Sequence, residues 1–219
     1  MKQALVADSM VSMRALSLLL PAAWLALSGC CHVNHLPGHA ELLASVTVDV
    51  QVDAAPRPVF TRSRSHYQRR ARGSIAEANV SASRFDDAIR SLLPSDLAQG
   101  VIDELPRAMS ALLGHAPVTE GAASARLFVA VRDIQMSAVD AISPITWVWT
   151  GHARLEHGKD DVWRDCFEFR LPADFGGMED FARWPSDRRL ELVREAARQF
   201  ARRLVERLAE EAGLAREGT

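Results

Sequence analysis

Residues Ser45 to Val52 alternate strictly, with Val46, Val48, Val50 and Val52 on one side and Thr47, Asp49 and Gln51 on the other. That period of two predicts a half-buried strand. A helical pattern starts near Ser83, whose hydroxyl can cap the first turn, and Asp86 and Asp87 suit the positive end of its dipole. Pro94 breaks it. A second helix, capped at Ser95, carries Leu97, Val101, Ile102, Leu105, Met109, Leu112 and Leu113 at helical spacing up to Gly114, with a kink expected at Pro106. Three strands follow, over residues 126–134, 146–156 and 162–171, the last two joined by a turn through Gly158, Lys159 and Asp160. Pairing Leu155 with Trp163 sets Gly151 opposite Phe167 and Trp149 opposite Phe169, so one register gathers the aromatic side chains on a single face. After a loop over 172–185, Ser186 caps a final helix whose stripe is Leu190, Val193, Ala197, Phe200, Leu204 and Leu208.

The order strand-helix-strand-strand-strand-helix predicts an α+β fold. Its form is a two-layer sandwich, a four-stranded, mostly antiparallel sheet with two helices covering the aromatic face. The polar face is left for water or a partner.

Composition fits one globular domain and changes little else. The 219 residues are 48% hydrophobic and 25% charged, with a formal net charge of -2, so there is no global basic excess to suggest nucleic acid. Three cysteines are too few for a disulfide framework.

The N-terminus carries an address. From Ala15 to Gly29 runs an uncharged segment of about fifteen residues, preceded by Arg14 and ending in small residues, which has the form of a secretory signal and is short of the ~20 residues a membrane span needs. Asp8 does not belong in the basic region of such a signal, and a start at Met13 gives a more compact one. Leu27-Ser28-Gly29-Cys30 resembles the lipobox of bacterial lipoproteins at all four positions. The resemblance implies that Cys30 is thioether-linked to diacylglycerol, that residues 1–29 are removed, and that the new amino terminus is acylated. The following residue is Cys31 and not Asp, the residue that in enteric lipoproteins commonly causes retention at the inner membrane, so the expected location is the outer membrane, facing the periplasm.

The division expected is a signal peptide over 1–29, a lipidated anchor and flexible tether over 30–44, one domain over 45–213 and a tail over 214–219. His32, His35 and His39 lie in the tether with Pro37 and Gly38 between the second and third, which favours a solvated linker over a metal site. The stretch 54–82 reads as an Arg-rich loop. Arg57, Arg62, Arg64, Arg69, Arg70 and Arg72 accumulate there without an intervening acid, and near an acylated terminus they could engage an anionic surface.

Candidate chemistry is sparse. The sequence has no Gly-rich phosphate loop, paired-His metal motif or nucleophile elbow, so neither cofactor nor metal is expected. Neighbouring acids such as Asp86 and Asp87 point about 100° apart on a helix and do not converge on one atom. Cys166 shares the more polar face of its strand with Arg164, Glu168 and Arg170. It reads first as a small buried hydrophobe, with a thiolate favoured by the arginines and a disulfide to Cys31 as the other readings.

The tail from Trp163 to Leu208, a strand leading by a loop into an Arg- and Ala-rich helix, looks like the closing unit of small periplasmic lipoproteins, transport-auxiliary and envelope-assembly ones among them. The expected function is therefore a membrane-anchored periplasmic lipoprotein, a non-catalytic adaptor or accessory subunit in envelope assembly or transport, with an envelope protein as partner and a ligand the sequence does not name. The alternatives are a periplasmic enzyme with a loop-borne site, using His152 or Cys166, and a module binding anionic lipid or an envelope polymer.

Overall fold

The computed structural model describes residues 32–60, 75–118, 121, 123–138, 144–172 and 177–214. Six strands form one sheet: β1 (Val33–Asn34), β2 (Val46–Val52), β3 (Arg57–Phe60), β4 (Ala125–Ala138), β5 (Thr146–His157) and β6 (Asp160–Pro172). Among the described residues four α-helices accompany them: α1 (Ile75–Arg90), α2 (Pro94–Leu113), α3 (Met178–Arg183) and α4 (Ser186–Glu211). The strand order is β1-β6-β5-β4-β2, with β3 also on β4. Each neighbouring pair in the series β1-β6-β5-β4 is antiparallel, whereas β2 and β3 run parallel to β4. Parallel neighbours need a long crossover, and α1 and α2 supply it between β2 and β4. β2 lies along Ala125–Val131 and β3 along Gln135–Ala138, so the two follow one another on the same edge of β4.

The α+β class is as expected; the sheet is larger than the four strands read from the sequence. The two additional strands come from segments expected to be irregular. Residues 33–45 are no flexible tether: Val33–Asn34 pairs with β6, and the 3₁₀ turns Leu36–Gly38 and Ala40–Ser45 bury Leu36, Leu42 and Leu43 in the core. Leu36 is fully enclosed, at 0% exposure, and burial of that kind outweighs the loop-forming bias of Pro37 and Gly38. Within the expected Arg-rich loop, residues 57–60 are strand β3 and α1 already begins at Ile75, ahead of Ser83.

Helix ends also differ in detail. α2 starts at Pro94, whose missing N–H costs nothing at the first helical position, and the Asp96 carboxylate accepts a hydrogen bond from the Leu93 N–H at 3.4 Å. Ser95 is therefore inside the first turn, as is Ser186, which follows Pro185 at the cap of α4. α2 runs through Pro106 and ends at Gly114, whose φ of 77° is open chiefly to glycine.

The β5–β6 register is the one the aromatic pattern predicts: Leu155 pairs with Trp163, Gly151 with Phe167 and Trp149 with Phe169. Phe200 of α4 closes over this face, stacked on Trp149 with ring centroids 4.9 Å apart and edge-on to Phe167 at 5.2 Å. α2 packs on α4 where Gly100 approaches Ala197 so closely that a Cβ on the glycine would stand 2.9 Å from that of Ala197. At the other end of the core, Phe85 of α1 meets Phe181 of α3 at 5.6 Å. All helical packing is thus on the aromatic face, and among the described residues nothing covers the opposite one.

Candidate functional site

The uncovered face takes its shape from one irregularity. Val131 pairs with Gly151 and Asp133 with Thr150, so Arg132 is an extra residue in β4, a β-bulge. A bulge leaves one residue unpaired and re-aims its side chain. Gly151 is what makes room for it: a Cβ there would come 2.0 Å from the Ala130 carbonyl oxygen and 2.8 Å from Phe167 Cζ. No other residue type fits.

Arg132, Gly151, His152, Arg154, Arg164 and Cys166 line a shallow basin of about 580 Å³ on this face. Three guanidinium groups surround the imidazole. Each holds a carboxylate of its own, Arg132 with Asp53, Arg154 with Glu156 at 2.9 Å and Arg164 with Asp161. Arg154 also lies over the Phe128 ring, 5.0 Å from its centroid. Burial holds His152 below the usual imidazole range, and the charges of Arg132, Arg154 and Arg164 push it further the same way. Both effects favour its neutral form.

Cys166 is exposed and disulfide-bonded, which corrects the expectation of a buried, inert thiol. Polar alternation along β6 placed it on the open face correctly; its exposure follows because nothing packs there among the described residues.

A second ionic cluster joins β6 to the end of α4 on the other face. Asp165 is buried, and Arg207 reaches it with Nε 2.7 Å from Oδ2. Burial raises the Asp165 carboxyl, the nearby charge of Arg207 opposes that, and Glu211 adds to it. His32 Nδ1 stands 3.6 Å from the same carboxylate, and Trp163 donates to Glu211 at 2.7 Å.

Cys30 and its neighbours Leu27, Ser28 and Gly29 lie outside the described residues, as do Arg62, Arg64, Arg69, Arg70 and Arg72. Arg57 is described, and its placement argues against a freely solvated loop: it opens β3 and makes a two-point contact with Asp133, Nε to Oδ1 at 2.9 Å and Nη2 to Oδ2 at 2.7 Å. The structure brings together Arg164, His152 and Cys166, which the sequence had singled out. It adds Arg132, for which the signal was a glycine inside a strand, a common mark of a bulge. Among the described residues no group of three His, Cys, Asp or Glu side chains could hold a metal, and no helix is long and apolar enough to cross a membrane.

No family model matches the sequence, and no curated protein matches it. Among solved structures, the crystal structure of protein XCC0632 from Xanthomonas campestris, described under the family model DUF330, aligns with 51% of this chain at 19% identity and a TM-score of 0.36. The alignment spans 60% of that protein's length, and a likeness this slight carries no argument about fold or function.

Proposed function

We propose that this chain is a lipid-anchored protein of the cell envelope, fastened through Cys30 to the outer membrane on its periplasmic side. It acts without catalysis, as an adaptor or accessory subunit that receives an acidic segment of an envelope protein on its open sheet face. The observation that carries this reading is the bulge at Arg132, which turns a flat polar face into a basin lined by three arginines.

The electrostatics fit an exchange of partners. Exposed ion pairs are worth only about 0–1 kcal/mol each. The carboxylates that hold Arg132, Arg154 and Arg164 are therefore displaced at small cost by carboxylates of a ligand that also excludes water. Two further features support the compartment: the match of residues 27–30 to a lipobox, and the disulfide at Cys166, a bond that persists chiefly in oxidising surroundings. The rival enzyme reading named His152 and Cys166. With its sulfur bonded, Cys166 offers no thiolate.

A photo-crosslinking amino acid at position 152 of the lipidated protein tests the reading in intact cells. The expected result is a discrete protein adduct that disappears when Arg132, Arg154 and Arg164 are all changed to Gln. An adduct unaffected by those changes, or the absence of one in the otherwise wild-type protein, contradicts it.

A further inference from the structure

β6 is paired unequally on its two sides. β5 accompanies it as far as Pro172, whereas on the other side β1 meets it at Trp163 and Arg164. Among the described residues no strand reaches the outer side of Glu168, Phe169 and Arg170. Val33 pairs with Arg164 and the His35 N–H donates to the Val162 carbonyl at 2.9 Å, so the even-numbered residues of β6 turn their backbone groups outward. The amides and carbonyls of Glu168 and Arg170 therefore lie on an open edge, a template for another strand.

The side chains on this edge are complementary to themselves. Glu168 and Arg170 stand one place either side of Phe169 with opposite charges, so an antiparallel copy centred on Phe169 sets each Glu168 opposite Arg170 of the other copy. Within one chain the two form an exposed pair at 3.0 Å, the arginine 74% and the glutamate 53% exposed, which is weak and easily exchanged. Phe169 would meet its own counterpart on the aromatic face. It is only partly buried beside the enclosed Phe167 and Phe200, at centroid distances of 5.2 and 5.7 Å. A groove of about 480 Å³ runs between this edge and α4, where Arg203, Glu206, Arg207 and Glu210 present both signs of charge. There is room for two such helices. Phe200 contacts Trp149 of β5 and Phe167 of β6, which places α4 above the space between those strands. With strands about 4.8 Å apart, the α4 axes of two copies joined edge to edge lie about 10 Å apart, an ordinary helix-packing distance.

We propose that this edge joins two copies of the chain, β6 to antiparallel β6 about a two-fold axis at Phe169, with Glu168 and Arg170 exchanging backbone hydrogen bonds and charge across it. The axis is perpendicular to a sheet that continues through the junction, so both open faces look the same way and two arginine-lined basins share one surface. The junction stands on Glu168, Phe169 and Arg170, whether or not the basin receives an acidic segment.

Sedimentation velocity of the full-length protein in a density-matched detergent tests it, with Glu168→Arg and Arg170→Glu as the variants. The wild-type chain should sediment at twice the chain mass and each single variant at the chain mass, because like charges then face one another across the axis. Mixing the two variants should restore the dimer, and so should both changes in one chain, since either arrangement sets opposite charges together again. Both side chains are exposed, and an unchanged circular dichroism spectrum is expected of each variant. A wild-type chain that stays monomeric at every concentration reached overturns the proposal, as when the edge takes a strand from a different protein. A dimer that either single substitution leaves intact overturns it too, and so does failure of the mixture or the double variant to dimerise.

Discussion

Gly151 lies opposite Phe167 across the β5–β6 pair, and the carbonyl oxygen of Ala130 occupies the space where a side chain would begin. One absent methyl group thus connects the aromatic core on one side of the sheet to the Arg132 bulge on the other. Register, bulge and basin depend on the same position.

Replacing Gly151 with Ala should accordingly cost about 1–3 kcal/mol through overpacking, read as a lowered urea midpoint at unchanged slope. Gly38 is the control. Nothing lies within 4 Å of a Cβ built there, and its φ is not in the left-handed region, so Gly38→Ala is expected to leave the midpoint in place.

The N-terminal segment should behave as core. Leu36→Ala removes a fully enclosed side chain and is expected to cost about 2–5 kcal/mol in equilibrium unfolding. A value near zero would mean that residues 33–45 are an arm and not part of the domain.

His152 titrates below 6.5 because burial, then Arg132, Arg154 and Arg164, disfavour its charged form. NMR titration of the imidazole nitrogens should show this directly, and Arg154→Gln should move the midpoint up toward the ordinary value. With its folded value depressed, this histidine contributes stability that is present in full above pH 6.5 and lost as pH falls through the folded value. His152→Gln should flatten that part of the stability profile.

The Arg57–Asp133 pair gives a second pH dependence. The Arg57 hydrogen bond holds the Asp133 carboxyl below 3.8, so its contribution is present above pH 3.8 and fades as pH falls through the lower folded value. Arg57 is 57% exposed, and a double-mutant cycle with Arg57→Leu and Asp133→Asn should therefore return only about 0.5–1 kcal/mol at pH 7, less at high salt and less again as pH falls through the folded value of Asp133.

Where the sequence was legible, local pattern and tertiary need agreed. The β5–β6 register could be read because Trp147, Trp149, Trp163 and Phe167 alternate on both sides of a short turn at Gly158, and only one pairing puts them together under α4. Phe200 and its stripe on α4 were equally plain. The missed elements are those whose cause lies far away in the chain. Val33–Asn34 is too short to show a period and is a strand only because β6 offers an edge, while Arg57–Phe60 is a strand because the far end of β4 is otherwise unpaired on that side. β2 and β4 each read as strands, yet nothing local specifies that they run parallel, since that depends on how two intervening helices cross. In the basin, His152, Arg164 and Cys166 followed from alternation along two strands. Arg132 did not, because a bulge breaks the alternation that would have placed it.

Mass spectrometry of the protein purified from membranes of its native host tests the central claim most directly. The account predicts a mature chain that begins at Cys30, carrying diacylglyceryl on the sulfur and a further acyl chain on the amino group. A soluble chain whose N-terminal peptide extends unmodified through Leu27, Ser28 and Cys30 would contradict it.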